Sequence, residues 1–135
     1  MHQYSENEKL NLFKSLFKGR EDVFAIRWEK GKKSGYMPAY HYDPYMYRLH
    51  KINGGTFINY KDKTYLPLTN QQLQKHFNGE QLIDIYPLLQ DNTSWFITAD
   101  FDKEKWVDEC RTFLNICKER GIPSYLERSH AHNSP

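Results

Sequence analysis

The chain has 135 residues, of which 39% are hydrophobic and 16% aromatic, so it can bury the core of one domain. Its 19 basic and 17 acidic residues give a formal net charge of +2, which is too balanced to identify a nucleic-acid-binding protein from charge alone. It has no transmembrane-length apolar run and no secretion signal, so Cys110 and Cys117 are expected to be reduced thiols of a cytoplasmic protein.

The first predicted element is an amphipathic helix that follows Ser5. Ser5 and Glu8 have the spacing of a capping box, in which each side chain bonds to the other residue's backbone N–H. Apolar residues then recur at helical spacing as far as Phe17, and Gly19 ends the helix. A strand is predicted over residues 22–28.

A flexible turn over residues 30–35 is predicted after this strand. It carries Lys32 and Lys33, and Arg27 lies close by in the sequence. A Walker loop needs glycine immediately before its Lys-Ser pair, and the chain has Lys32 in that place. The turn is therefore either solvated or a contact for phosphates, and the sequence leaves both interpretations open.

Residues 36–50 contain five tyrosines, two histidines and two prolines. Such a stretch usually covers a small aromatic core, although tyrosines beside Arg48 and Lys51 could also stack on bases. His41 and His50 have no cysteine nearby, so no zinc site is expected. Further on, the sequence predicts a strand over 56–60, a helix that is capped by Thr69 and ends at Gly79, and a strand over 82–86.

The most informative stretch is a hydrophobic strand predicted over residues 94–101, which ends at Asp100 and Asp102. Side chains alternate along a strand, so the two carboxylates should point the same way and repel each other. A divalent cation would relieve this repulsion, as in two-metal phosphoryl-transfer sites. Alternatively, Asp102 is the N-cap of the helix that is predicted over 103–120.

The end of the chain predicts a strand–helix–strand unit. The two cysteines fall on the apolar face of the 103–120 helix and are expected in the core. Gly121 and Pro123 end that helix, and a short strand is predicted over 124–128. The predicted fold is α/β (α+β), with an αβ unit over 1–92 packed on a second unit over 93–135, and the acids at a carboxyl strand edge.

Seven ordered blocks resemble the primase-polymerase domain of the archaeo-eukaryotic primase superfamily found in TOTE conflict systems. The blocks span nearly the whole chain, so the resemblance is far more specific than the acid pair alone. They are Leu12–Ala25, Arg27–Trp28, Lys33–Ala39, Tyr65–Thr69, Ile85–Leu89, Trp95–Asp102 and Leu126–Ser129.

The resemblance implies that residues 93–135 begin an RRM-like catalytic core. Asp100 and Asp102 would be the first acidic motif, which is catalytic and binds two Mg²⁺ or Mn²⁺ ions in the complete site. Ser129 would open a second motif. The basic and hydroxyl side chains available for phosphates would then be Arg27, Lys32, Lys33, Arg128 and Ser129.

The resemblance also implies partners, namely DNA or RNA, nucleoside triphosphates and a helicase domain in the same longer chain, with no membrane. The family's second-motif histidine would come just after Pro135, so we expect an N-terminal part that is inactive alone. Many relatives carry a cysteine-rich knuckle where this chain has no cysteine, and no zinc is expected. The alternative hypothesis is a non-catalytic module that docks an attached helicase on DNA or RNA.

Overall fold

The computed structural model describes residues 4–102 and 104–127, which belong to two compact units. The first unit extends to Ile97 and the second begins at Thr98. The predicted domain boundary between residues 92 and 93 stays a prediction. Arg128 and Ser129 lie outside the described residues.

The described residues combine helices with antiparallel sheets, which confirms the predicted mixed α/β class. The helices are α1 (Glu6–Leu16), α2 (Pro44–Ile52), α3 (Asn70–Phe77) and α4 (Trp106–Glu119). The strands are β1 (Phe24–Lys30), β2 (Lys33–Pro38), β3 (Tyr40–Tyr42), β4 (Lys63–Tyr65) and β5 (Ile83–Ile85). No helix in the described part of the chain has both the length and the apolar character needed to cross a bilayer.

Side-chain caps start the helices of the first unit. Ser5 and Glu8 form the predicted reciprocal capping box at α1, and the Thr69 hydroxyl accepts a hydrogen bond from the Gln72 backbone at α3. Helix α2 was not predicted. Asp43 caps it by accepting hydrogen bonds from two backbone N–H groups, and Pro44 occupies its first turn, so the Asp-Pro pair was the available signal.

Strand β1 is the centre of a three-stranded sheet with the order β2-β1-β5. Both neighbours run antiparallel to it. The core of the unit forms where Phe24, which is 1% exposed, meets Leu10 of α1 and Leu73 of α3. Burying a side chain of this size contributes about 1.5–3 kcal/mol, so these three residues hold both helices on the sheet.

The second sheet pairs β3 with β4 beside α2, and aromatic rings fill the space around it. Tyr40 stacks on Tyr65 with ring centroids 5.1 Å apart, and the Phe57 ring lies 5.5 Å from Tyr40 and 5.2 Å from Tyr42. Three of the five tyrosines of the stretch are half-buried as predicted, whereas Tyr36 and Tyr45 are exposed. Base stacking by Tyr40 and Tyr42 is correspondingly disfavoured.

A single ammonium group closes the loop between α2 and β4. Lys63 Nζ donates hydrogen bonds to the carbonyl oxygens of Phe57, at 2.8 Å, and Tyr60. The predicted strand over 56–60 is wrong, because this segment forms turns whose carbonyls bond to a side chain instead of a neighbouring strand.

The predicted strands over 94–101 and 124–128 are also absent from the described residues. A strand needs a ladder partner, and neither segment has one there. Instead, Lys18 Nζ lies 3.7 Å from the centre of the Trp95 ring, and Phe96 packs edge-on against Phe17 at 5.9 Å. Trp95 and Phe96 are therefore held at the end of α1 by ring contacts.

We expect Gly19→Ala to destabilise the first unit. A methyl group there would lie 2.6 Å from the Tyr86 carbonyl oxygen, which also accepts a hydrogen bond from Arg20 N at 2.9 Å. Backbone must move to relieve this overlap, so we expect a loss of about 1–3 kcal/mol, the usual cost of overpacking. Urea denaturation will measure it. Equal stability of variant and parent would contradict the close approach.

Lys63→Met should also destabilise the chain, since it leaves partly buried carbonyls unpaired around an aromatic core. The cost of such unsatisfied groups is about 1–3 kcal/mol. Lys61→Met is the matched control, because Lys61 is exposed two residues before Lys63 and should change stability by less than about 0.5 kcal/mol. Equal unfolding midpoints for the two variants would show that Lys63 does not hold the loop.

Candidate nucleic-acid and metal site

Asp100 and Asp102 lie in an irregular segment that leads into α4, and both are exposed. Helix α4 begins at Trp106, its N-cap residue is Lys105, and no side chain caps it. The interpretation of Asp102 as the N-cap of this helix is therefore wrong. Helix capping therefore does not account for an acid at position 102.

Phe101, the residue between the two acids, anchors this segment. Its ring lies 5.6 Å from the Phe113 ring of α4, and it is half-buried while its two neighbours are exposed. Cys110 and Cys117 are buried on the same helix as free thiols, as predicted. Helix α4 thus supplies an apolar support on which Phe101 rests, and the carboxylates on both sides of it stay in solvent.

Neither carboxylate accepts a hydrogen bond or an ion pair from any residue that the structure describes. Exposed carboxylate oxygens are the hard ligands that Mg²⁺ and Mn²⁺ prefer. Over residues 4–102 and 104–127, no group of three or more His, Cys, Asp or Glu side chains could hold a metal ion. The two carboxylates are chemically suited to such an ion, which would need further ligands from water, phosphates or other residues.

The predicted phosphate-binding residues of the first unit lie together on the β1–β2 hairpin. Gly31, with a φ of +61°, and Lys32 form a two-residue turn, and Lys33 opens β2 opposite Lys30. The predicted turn is present but is confined to Gly31 and Lys32, and the rest of residues 30–35 is paired strand instead of a flexible loop. Asp100 and Asp102 belong to the second unit.

Arg27 is already engaged on this hairpin. Its Nε donates to Glu29 Oε1 at 3.1 Å, and its Nη2 donates to the Ser34 hydroxyl at 3.3 Å. The side chain is half-buried. Its remaining N–H groups are the ones that could meet a phosphate, whereas Lys32 and Lys33 are exposed and have no acidic partner among the described residues.

Sequence reasoning missed Trp28 and Lys30, which share this hairpin. Trp28 belongs to one of the resembling blocks but was assigned no role, although a tryptophan at the polar end of a strand is itself a signal of an exposed ring. Alternation along β1 places Trp28 and Lys30 on one face and Arg27 and Glu29 on the other.

Comparison with known families supports the resemblance that the sequence blocks indicate. A family model described as the TOTE conflict system, archaeo-eukaryotic primase domain, matches residues 8–135. No curated protein and no solved structure matches the chain. The matched range includes the hairpin, the acid pair and α4. The chain therefore belongs to the archaeo-eukaryotic primase domain family of TOTE conflict systems.

Proposed function

We propose that this primase domain is a nucleotidyltransferase that adds nucleotides from nucleoside triphosphates to a DNA or RNA strand. Membership of the primase family supports this class of reaction. The observation that carries the proposal is the pair of exposed, unpaired carboxylates, Asp100 and Asp102, on either side of an anchored Phe101. Neither acid has a capping role or an ion pair among the described residues that would otherwise account for it.

In this proposal Asp100 and Asp102 hold divalent cations, Mg²⁺ or Mn²⁺. Such ions, when bound, activate the attacking oxygen and neutralise charge on the leaving group. Phe101 fixes the backbone between the two ligands through its contact with Phe113, so the carboxylates do not depend on a mobile loop for their position.

The basic side chains of the hairpin would neutralise phosphates of the nucleic-acid strand. Lys32 and Lys33 are exposed point charges suited to this role, and Arg27 adds its free N–H groups. Arg128 and Ser129 are proposed as further phosphate contacts from the resemblance. We also propose that the domain works in a longer protein that carries a helicase.

The second candidate function is a docking module that binds DNA or RNA for an attached helicase without chemistry. One observation favours it, namely that the described residues supply two acidic ligands and no third. The two candidates differ in what an acid substitution does. It abolishes transfer in an enzyme and leaves binding unchanged in a docking module.

We expect Asp102→Asn in the longer protein to lower nucleotidyl transfer by roughly 100-fold or more, since even outer-shell partners of metal ligands are worth about 10- to 100-fold. The melting temperature should not fall, because the carboxylate is exposed and caps no helix. Primer extension with Mn²⁺ will measure transfer. Asp62→Asn removes an equal charge from an exposed turn and should keep full activity. Transfer that survives in both variants would favour the docking module.

Residues 1–135 alone should bind Mn²⁺ only weakly and should not extend a primer. Two carboxylates and water are a poor octahedral ligand set, so we expect a dissociation constant of about 1 mM or weaker. Paramagnetic broadening of amide NMR signals will locate the ion. Broadening should be concentrated at residues 98–104 and disappear when both acids are changed to asparagine. Broadening centred elsewhere would show that Asp100 and Asp102 are not the ligands.

A further inference from the structure

The β1–β2 hairpin projects beyond the three-stranded sheet. Pairing between β1 and β2 continues from Ala25–Pro38 to Lys30–Lys33, whereas β5 pairs with β1 only from Phe24 to Ile26. Residues 28–30 and 33–35 therefore form a two-stranded arm with no third strand beside it in the described structure. We call these six residues and the turn between them the hairpin arm.

One face of the hairpin arm presents an aromatic ring. The Trp28 indole lies across Gly35, its partner in the pairing, so closely that a methyl group on Gly35 would come within 3.1 Å of Trp28 Cζ2. Trp28 is 38% exposed, and no ring or cation in the described part of the chain packs on its indole. Because glycine has no side chain, the indole can lie directly on the backbone of Gly35.

The same face is cationic. Lys30 follows Trp28 by two residues in β1, and Lys33 lies opposite Lys30, so both side chains share the Trp28 face. Lys32 stands in the adjoining turn. The single acid of the hairpin, Glu29, projects from the opposite face and is paired with Arg27 at 3.1 Å. No carboxylate on the hairpin therefore neutralises the three lysines.

We propose that the hairpin arm binds single-stranded nucleic acid, with a base stacked on Trp28 and the flanking phosphates on Lys30, Lys32 and Lys33. This rests on the proposed function for the presence of a nucleic-acid strand and adds where on the first unit that strand binds and in what form. Aromatic rings within a positive surface bind single strands without sequence preference, because every base has a face that can stack.

A plainer role for the lysines is to keep the exposed edge strand β2 from pairing with another chain. That role explains the charges but not the exposed indole, which would itself promote association. A two-stranded ribbon can also enter the major groove of a duplex. The indole favours a single strand as the ligand. An unstacked base can stack on the flat face of the ring, whereas a duplex presents only the edges of its paired bases in the groove.

The test is fluorescence anisotropy with labelled oligonucleotides of about 16 nucleotides, near the upper site size of single-strand-binding folds. Homopolymers of thymidine and of uridine, and a duplex of equal length, are titrated with the 135-residue chain. Trp28→Ala should weaken single-strand binding about 5- to 150-fold, the effect of removing one stacked base, while Trp28→Phe should retain most of it. Tyr125→Ala, which removes another exposed ring, should have no effect.

The charges are tested separately. Lys30→Ala with Lys33→Ala should flatten the dependence of log affinity on log salt by about 0.7 for each phosphate that the variant no longer neutralises. Lys61→Ala with Lys118→Ala removes the same charge from exposed positions outside the hairpin and should leave the slope unchanged. Circular dichroism melting checks that each variant is folded.

Equal binding by Trp28→Ala and Tyr125→Ala, or tighter binding of the duplex than of both single strands, would overturn the inference. So would equal salt slopes for the two lysine pairs. These outcomes are independent of transfer by the longer protein, which Asp102→Asn tests. Binding by the hairpin arm can therefore be disproved while the proposed enzyme function stands. Equally, a failure of the Asp102→Asn prediction would not change the measured binding of single strands by the arm.

Discussion

The pairing of β1 with strands on both sides is the constraint on which the first unit depends. The first half of β1 is apolar and buried between β2 and β5, and Phe24 there meets the helices in the core. The second half carries Arg27, Trp28, Glu29 and Lys30. Arg27 N still donates to the Leu82 carbonyl oxygen at 3.0 Å, and beyond Arg27 only β2 continues beside the strand. Because one continuous ladder joins the halves, the packing that buries Phe24 also holds the surface residues in register.

Two helix caps were predicted from local sequence, whereas the cap of α2 was missed and three predicted strands are absent from the described residues. Ser5, Glu8 and Thr69 were recognised because a cap is decided within four residues of sequence. The strand predicted over 94–101 has the right composition, but a strand exists only with a ladder partner, which composition does not reveal. Trp95 and Phe96 have their own partners instead, Lys18 and Phe17 at the end of α1. Helix α2 was missed because its aromatic residues were interpreted as part of a core, and no helical periodicity was recognised in them.

The loop between α2 and β4 is held by a side chain at each end. Lys63 brings its ammonium to backbone carbonyls within an aromatic surround, with the Phe57 ring 5.2 Å away. His50 Nε2 lies 2.8 Å from Asn59 Oδ1 and holds the other end of the loop. In this chain a fixed positive charge and a histidine hydrogen bond close the segment.

The sequence could identify which residues form the candidate site, but it could not identify how they are arranged. Asp100 and Asp102 were singled out because two carboxylates one residue apart are costly to keep together without a cation. That argument assumed a strand to direct both side chains, and the structure replaces the strand with an anchor, Phe101 on Phe113. An anchored residue between two exposed acids restrains both backbones while leaving their oxygens hydrated. If these carboxylates bind ions as proposed, the ions would enter by exchanging water, since no protein contact within the described residues would first have to be broken.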